Sequence, residues 1–323
     1  MKKIFCIIFL LVYSLSTKAQ YRTEVVVTDL NNEVLTNKIQ NSLSNLITAL
    51  NNAYASNSQP SFAAVSIDAS ARKSVEMIWS GSPFRCEETD IVEPALKLYS
   101  GNEYEVRNIP FVFKNFPQGS NIKEFAVSFN TSGVITSFRV TIDNNSYRSI
   151  FNGRNDVSDL RRRQIILNYV EQFRTAYNTK DLVFLQNVFS DDALIITGKV
   201  IKPTAETMNL STNKIVYTKK TKQQYLADLK RVFNYNKRIN IEFSDIKVVR
   251  HPVKNDWYGV QLFQNYTSDR YHDEGFLFLL WDFTAGDDRP QIHVRVWQPD
   301  KDAFGKPLTN DDIFGMDDVD IVD

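Results

Sequence analysis

The chain has 323 residues, of which 43% are hydrophobic and 24% are charged. These values are typical of a globular protein and exclude a disordered, fibrous or coiled-coil chain, while the length leaves room for two domains of roughly 100–200 residues each. Basic and acidic residues balance at 38 each, so the sequence lacks the general electrostatic footprint of a protein that binds nucleic acid or anionic lipid.

The amino terminus has the pattern of a secretory signal. Lys2 and Lys3 precede an apolar run over residues 4–13, and small residues follow up to Ala19. Ten apolar residues span only about 15 Å as a helix, half of a bilayer core, so the run is too short to cross a membrane. We therefore predict a signal peptide over residues 1–19 and an exported protein, periplasmic or secreted, whose net charge after cleavage is −3.

Cys86 is the one cysteine that remains after this cleavage. A single thiol can form neither an internal disulfide nor a zinc site, and its mixed-charge neighbours favour a buried, inert thiol over a reactive nucleophile. The sequence contains no nucleophile elbow, no phosphate-binding glycine loop and no His-Glu-x-x-His motif, so we expect neither a cofactor nor a metal.

Two basic runs, residues 161–163 and 219–222, lie at predicted helix starts without interleaved aromatic residues. A solvated helix face is the favoured interpretation of both runs, rather than a binding patch.

The first half, residues 20–153, is predicted to be an α+β domain. Apolar residues recur every three or four positions in its helices and every second position in its hairpin. The predicted elements are a strand over 23–27, helices over 35–50 and 71–79, a strand over 109–113, and a hairpin over 125–142. Residues 144–158 show little apolar pattern, so we place the domain boundary near residue 153.

The second half, residues 154–298, opens with the clearest helix, whose apolar stripe includes Ile166, Val170, Phe173 and Tyr177. Thr221 and Gln224 have the spacing of a helix-capping box. The predicted elements are helices over 165–177 and 182–189, a strand over 193–197, a helix after residue 221, and strands over 239–249, 257–267, 276–283 and 291–297. This order predicts an α+β fold with helices on one face of a curved antiparallel sheet. The acidic tail, residues 299–323, either docks on this body or moves freely.

Two segments of the second half carry a resemblance. YNTKDL at 177–182 ends the long helix, and FSDDALI at 189–195 leads into a strand. Together with the element order, they resemble the nuclear transport factor 2-like (NTF2-like) superfamily, which includes ketosteroid isomerases and SnoaL-like cyclases, over residues 159–298. The resemblance implies a cone-shaped sheet around the long helix, with a ligand pocket at its open end. The first half shares the outline, and we suspect a diverged copy of the same cone.

The resemblance implies that a pocket in this cone would be lined by Tyr169, Phe173, Arg295 and Trp297. Catalytic members place an acid/base residue and a hydrogen-bond donor there, and our candidates are Asp282 or His293 as base and Tyr266 as donor. Simple alternation puts His293, Arg295 and Trp297 on one face of their strand. We favour the interpretation that this face is exposed to solvent or pairs with another subunit, rather than that it binds a ligand. For Asp282 a solvated rim or turn contact is favoured, and residues 272–274 are predicted to form a hairpin tip.

The sequence therefore favours a non-catalytic, exported binding or assembly module. The alternative is an isomerase or cyclase that acts on a small apolar ligand within the cone. The partners we expect are a small apolar ligand or an envelope protein, and a homodimer through the outer sheet face is a further option.

Overall fold

A computed structural model provides the structure of the chain. It describes residues 22–98, 102–115, 121–142, 144–151, 157–201, 214–302 and 304–321. The predicted signal peptide and the predicted boundary near residue 153 lie outside these ranges. Among the described residues, no helix combines the length and the apolar character needed to cross a bilayer.

The first half forms one mixed sheet with two helices on one face. Its elements are β1 (Glu24–Thr28), α1 (Glu33–Ser56), α2 (Ala69–Gly81), β2 (Phe84–Arg85), β3 (Asp90–Lys97), β4 (Glu103–Phe113), β5 (Ile122–Asn130) and β6 (Ile135–Val140). The strand order is β1-β3-β4-β5-β6, with β2 paired to β4 and β1 parallel to β3. The predicted helices and the β5–β6 hairpin are confirmed, whereas sequence reasoning missed β2 and β3.

Local chemistry explains where α1 begins and how the hairpin meets it. The side chain of Asn32 accepts a hydrogen bond from the Leu35 amide and caps the helix start. Gly133 turns the hairpin with φ +76°, and a Cβ there would lie 2.6 Å from Cβ of Lys38. Only glycine therefore allows the turn to approach α1 this closely.

The second half forms a second six-stranded sheet. Its elements are α3 (Asn144–Phe151), α4 (Val157–Asn178), α5 (Leu182–Val188), β7 (Phe189–Ile201), β8 (Lys214–Thr221), α6 (Lys222–Tyr235), β9 (Ile239–Arg250), β10 (Trp257–Ser268), β11 (His272–Asp282) and β12 (Gln291–Pro299). The strand order is β8-β7-β12-β11-β10-β9, and β7 and β12 are parallel. Sequence reasoning missed β8, and α3 occupies a segment in which it found little pattern.

The sheet of the second half curves around α4, as a cone requires. Ile166, Val170 and Phe173 of α4 are fully buried in the core that its concave face encloses. Irregularities in strand register, one of them at Asp245 of β9 with φ +52°, interrupt the ladders and allow the sheet to bend. The predicted capping box of Thr221 and Gln224 begins α6. The predicted cone is confirmed.

Helix α4 also carries a buried polar face, which lies against the sheet of the first half. Glu171 of α4 is completely buried and accepts hydrogen bonds from Arg107 of β4 and Arg139 of β6. The helix therefore lies between the two sheets and belongs to the interior of both halves.

The carboxy-terminal segment docks on the outer face of the cone. Phe314 stacks edge-on against Phe278 at 5.2 Å, its amide donates to Gln298, and Val319 is 1% exposed. Of the two alternatives for the acidic tail, the structure shows docking for the described part of the segment.

The two halves share an outline of helices followed by an antiparallel meander, but their strand orders differ. In the first half a strand precedes the helices and pairs in parallel with β3, whereas the second half has the β7–β8 hairpin and α6 inserted before the meander. The suspected duplication therefore stays a hypothesis.

Candidate functional site

The interior of the cone holds a buried cation. Arg295 of β12 is 6% exposed, and its guanidinium lies 5.1 Å from the ring centre of Tyr225. The hydroxyls of Tyr225 and Tyr177 hydrogen-bond to each other beside it. Among the described residues, Nε of Arg295 has no hydrogen-bond partner although it is buried.

A second polar group, at the end of the cone, includes Asp273 of β11. This residue lies directly across from Tyr266 of β10, and its Oδ2 accepts a hydrogen bond of 2.9 Å from the Tyr271 hydroxyl. Its Oδ1 is buried and unpartnered. Asp273 is part of a strand, so the predicted hairpin tip at 272–274 is wrong, because β11 begins four residues earlier than its apolar pattern indicated.

Burial controls the protonation of these groups. Burial raises the pKa of Asp273, an effect that the Tyr271 hydrogen bond and the charge of Arg295 reduce without reversing. Burial and then the neighbouring Asp273 raise the pKa of Tyr271 to about 12, and burial also raises the pKa of Tyr266 and Tyr177. These phenols therefore stay protonated near neutral pH and can donate hydrogen bonds.

His293 and Asp282, the two candidate bases, lie together but away from Arg295. Nε2 of His293 lies 3.4 Å from Oδ2 of Asp282, and its Nδ1 lies 3.7 Å from Asp192. The register of β12 against β11 shifts at His293, so Ile292 enters the core of the cone while Val294 faces outwards. This bulge breaks the alternation that had grouped His293 with Arg295 and Trp297.

The favoured interpretation of a solvated face is therefore wrong for Arg295 and Trp297, which are buried inside the cone. The solvated interpretation is consistent with His293, whose side chain is 30% exposed. Asp282 accepts hydrogen bonds from the amide and the hydroxyl of Thr284, which is the predicted turn contact. Tyr266 faces the cone at Asp273, so the structure does not bring the proposed base and donor together.

The four predicted pocket residues do not line one cavity. Phe173 is fully buried among Tyr177, Phe189 and Phe243, and therefore belongs to the core. Tyr169 lies on the side of α4 that faces the first half, where it lines a cavity between the halves. Trp297 and Arg295 remain as groups inside the cone.

A buried network of four charges joins the two halves. Arg107 donates to Glu105 at 2.7 Å and to Glu171 at 2.6 Å, and Arg139 donates to the same two carboxylates. The Ile142 amide also donates to Glu171. The positive and negative charges balance, and burial makes each hydrogen bond stronger than it would be in water. Nothing in the sequence distinguished this set from solvated strand and helix residues.

A cavity of about 410 Å³, which we call the cationic pocket, lies where α2 and β5 of the first half face α4 and β9 of the second. Its walls include Met77, Ile78 and Ile239, and apolar groups form most of its surface. Four basic side chains and two carboxylates also line it: Lys123, Arg174, Lys237, Arg238, Glu242 and Asp269.

Arg174 is the most buried of these bases, with 6% exposure, and donates a hydrogen bond to the Thr141 carbonyl. Lys123 pairs with Glu242 across the two halves at 2.8 Å. Burial raises and Lys123 lowers the pKa of Glu242, with a net lowering, so this carboxylate is ionised at neutral pH. With both carboxylates charged, the pocket keeps an excess of positive charge.

Other predicted features can be located as well. Cys86 is buried, as predicted, and burial raises the pKa of its thiol. In the described ranges no cluster of three or more His, Cys, Asp or Glu side chains is arranged to hold a metal ion. The solvated interpretation of the basic runs is wrong for Arg163 and Lys222, which are buried and donate to carbonyls of Ile150 and Phe189.

Comparisons with known proteins relate to the fold alone. No protein-family model matches the chain, and no curated protein matches it. An NTF2-like protein of unknown function from Pseudomonas putida KT2440 is 13% identical, with a TM-score of 0.34, over 46% of this chain and 93% of that one. An NTF2-like protein from Cytophaga hutchinsonii ATCC 33406 is 15% identical, with a TM-score of 0.31, over 42% and 97%.

The Bdellovibrio bacteriovorus protein Bd1075 is 13% identical, with a TM-score of 0.34, over 64% of this chain and 91% of that one. Identities this low leave the function of the chain open. The curved sheet around α4 and the strand order described above are the α+β cone that the sequence predicted, and these likenesses do not extend beyond the fold.

Proposed function

We propose that the protein is an exported, non-catalytic binding module that holds a small amphipathic anion in the cationic pocket. The observation that carries the proposal is the buried Arg174 in the wall of a mostly apolar cavity of about 410 Å³. Cavities of about 300–1,000 Å³ with apolar walls and a few placed polar groups are typical ligand sites.

The excess positive charge of the pocket favours an anionic ligand. Its basic residues outnumber its carboxylates, and the low dielectric around a buried guanidinium strengthens its attraction for an anion. Met77, Ile78 and Ile239 would contact a hydrocarbon chain while Arg174 contacts a carboxylate. A medium-chain fatty carboxylate meets both requirements. It differs in charge and in location from the small apolar ligand in the cone that the sequence predicted.

Calorimetric titration with decanoate tests the proposal, with decanol as the uncharged analogue of equal chain length. We expect decanoate to bind with a Kd below about 100 µM and decanol to bind at least about tenfold more weakly. Arg174→Met should weaken decanoate binding by about tenfold or more, because it removes the buried charge but keeps most of the volume.

Two further variants make the result specific. Ile78→Trp should block the pocket without removing a charge, and Arg231→Met, at a side chain that is 80% exposed on α6, should leave the affinity unchanged. Equal binding of decanoate and decanol, or decanoate binding that survives both pocket variants, would contradict the proposal.

A second candidate function rests on Asp273, whose raised pKa and position across from Tyr266 suit proton transfer. Asp273 would take a proton from the carbon between the carbonyl and the double bond, and Tyr266 would donate a hydrogen bond to the resulting dienolate. Asp273 would then return the proton to the far carbon of the double bond, which gives the conjugated ketone. Isomerisation of 3-cyclohexen-1-one to its conjugated isomer, followed by absorbance, tests this reaction. An enzyme would accelerate it and lose the effect in Asp273→Asn; no acceleration above buffer removes this candidate.

A further inference from the structure

A second site lies on the other side of α4, in a groove formed by two adjoining cavities. The first, of about 440 Å³, is lined by β5, β6 and α2 of the first half and by α4 of the second. The other, of about 380 Å³, continues between α5 and the start of β12. Both cavities share the side chains of Tyr169, Gln172, Phe184 and Asp288, so they form one extended depression, which we call the polar groove.

Side-chain amides and hydroxyls are the most numerous polar groups in the walls of the polar groove. Gln164, Asn168 and Gln172 follow one another along α4 at steps of four, and Ser128 and Ser137 face them from the first half. Asn187 and Gln291 continue the series beyond Phe184. Side-chain amides both donate and accept hydrogen bonds, as sugar hydroxyls do.

Several of these amides have unused hydrogen-bonding capacity. Across the described ranges, the side chains of Gln164, Gln172, Asn187 and Gln291 make no hydrogen bond to the protein. Asn168 uses only its oxygen, which accepts from Arg139 at 3.1 Å, so its amino group faces the groove unbound. A ligand with several hydroxyls would satisfy these groups without the loss of an existing contact.

The charged side chains beside the groove already make ion pairs or hydrogen bonds within the protein. Asp287 forms ion pairs with Arg161 and Arg162, both at 3.0 Å, and Arg139 is held in the buried network between the halves. An anionic or cationic ligand would have to compete with these pairs, whereas an uncharged one would not. This separates the polar groove from the cationic pocket on the opposite side of α4.

Two aromatic rings border the junction of the cavities. Tyr169 and Phe184 are half-buried with their ring centres 6.2 Å apart. Their remaining exposed surface can pack against the C–H face of a sugar ring, while the amides bind its hydroxyls.

We propose that the polar groove binds an uncharged oligosaccharide of about three rings, lengthwise across Tyr169 and Phe184. The site is independent of the anion site proposed above: neither cavity of the groove shares a lining residue with the cationic pocket except Thr175. Binding of one ligand should therefore leave the other site available.

Calorimetric titration of the full chain with maltotriose, cellotriose and chitotriose tests the assignment. We expect at least one of the three to bind with a Kd of about 1 mM or tighter, and the Gln164→Ala/Gln172→Ala double variant to weaken that binding by about tenfold or more. Gln223→Ala, at an exposed amide of α6, is the matched control and should bind as the unsubstituted chain does.

The Asn187→Ala/Gln291→Ala double variant probes the other end of the groove and should also weaken binding, even if the first double variant fails to fold. Absence of binding for all three trisaccharides at about 10 mM overturns the assignment. So does binding that is unchanged in a folded double variant. Decanoate affinity, measured on the same samples, reports separately on the cationic pocket.

Discussion

Glu171 is the residue on which the contact between the halves depends. It is a carboxylate at 0% exposure that pairs with two arginines of the other sheet. Because its removal would leave a buried excess of positive charge, Glu171→Gln should lower the free energy of unfolding by about 3–5 kcal/mol. Urea denaturation followed by circular dichroism measures the change.

Glu76→Gln is the control for this prediction. Glu76 pairs with Arg72 on the surface of α2, where the two side chains are 44% and 56% exposed. Loss of such a pair should cost less than about 0.5 kcal/mol. A loss below about 1 kcal/mol for the Glu171 variant would show that the network does not hold the halves together.

For Asp273 we predict the opposite effect on stability: at neutral pH, loss of its charge should stabilise the fold. Because its pKa is raised in the folded state, the folded chain holds this proton more tightly than the unfolded chain. Its contribution to stability therefore falls as the pH rises from the ordinary value of 3.8 through the raised value. At neutral pH, burial of the ionised carboxylate destabilises the fold.

Asp273→Asn keeps an acceptor for the Tyr271 hydroxyl and removes the charge. We expect the variant to melt about 2 °C or more above the unsubstituted chain at pH 7, and the difference to vanish at about pH 3. Thermal unfolding at both pH values checks this. A lower melting temperature at pH 7 would mean that the ionised form is stabilised by contacts other than those described.

At the scale of elements, helix caps and apolar periodicity were readable from the sequence. Thr221 and Gln224 mark the start of α6, and the stripe of Ile166, Val170 and Phe173 identifies α4 as a core helix. These signals depend on neighbours within one turn of helix, so a single sequence contains them.

The bulge at His293 was not readable. Alternation assumes an unbroken ladder, and one extra residue moves every later side chain to the other face. The buried face of α4 was missed for a related reason: Glu171 and Arg174 have the same pattern as solvated residues until the sheet of the first half covers them. The site between the halves therefore could not be predicted, because residues far apart in sequence form it.

The carboxy-terminal segment is an element whose docking can be tested by substitution. Phe314 contacts Phe278 on the outer face of the cone, and its partial burial implies that Phe314→Ala costs about 2 kcal/mol. Phe304→Ala, at a ring that is 67% exposed, should be close to neutral. Equal effects of the two substitutions in chemical denaturation would show that the segment is not docked in solution.

The docked carboxy-terminal segment also affects the predicted homodimer. It covers Phe278, Leu280 and Val296, which form the apolar part of the outer face. The homodimer through this face stays a prediction, and such a dimer would have to form around the docked segment.

At the scale of the whole molecule, α4 is shared between two sheets and joined to the first half by the buried charges. We therefore expect the two halves to unfold in one cooperative transition. Hydrogen exchange of amides in β5 and β11, one strand from each half, should give the same maximum free energy of opening, that of global unfolding. Clearly separate limits for the two strands would show that the halves fold independently.

The central claim is that a ligand binds between the halves rather than inside the cone. Methyl NMR of the chain with labelled Met and Ile side chains, titrated with decanoate, tests it most directly. The account predicts shift changes and ligand contacts at the methyl groups of Met77, Ile78 and Ile239, which line the cationic pocket. Changes confined to isoleucines of the cone core, such as Ile195 and Ile292, or no changes at all, would contradict it.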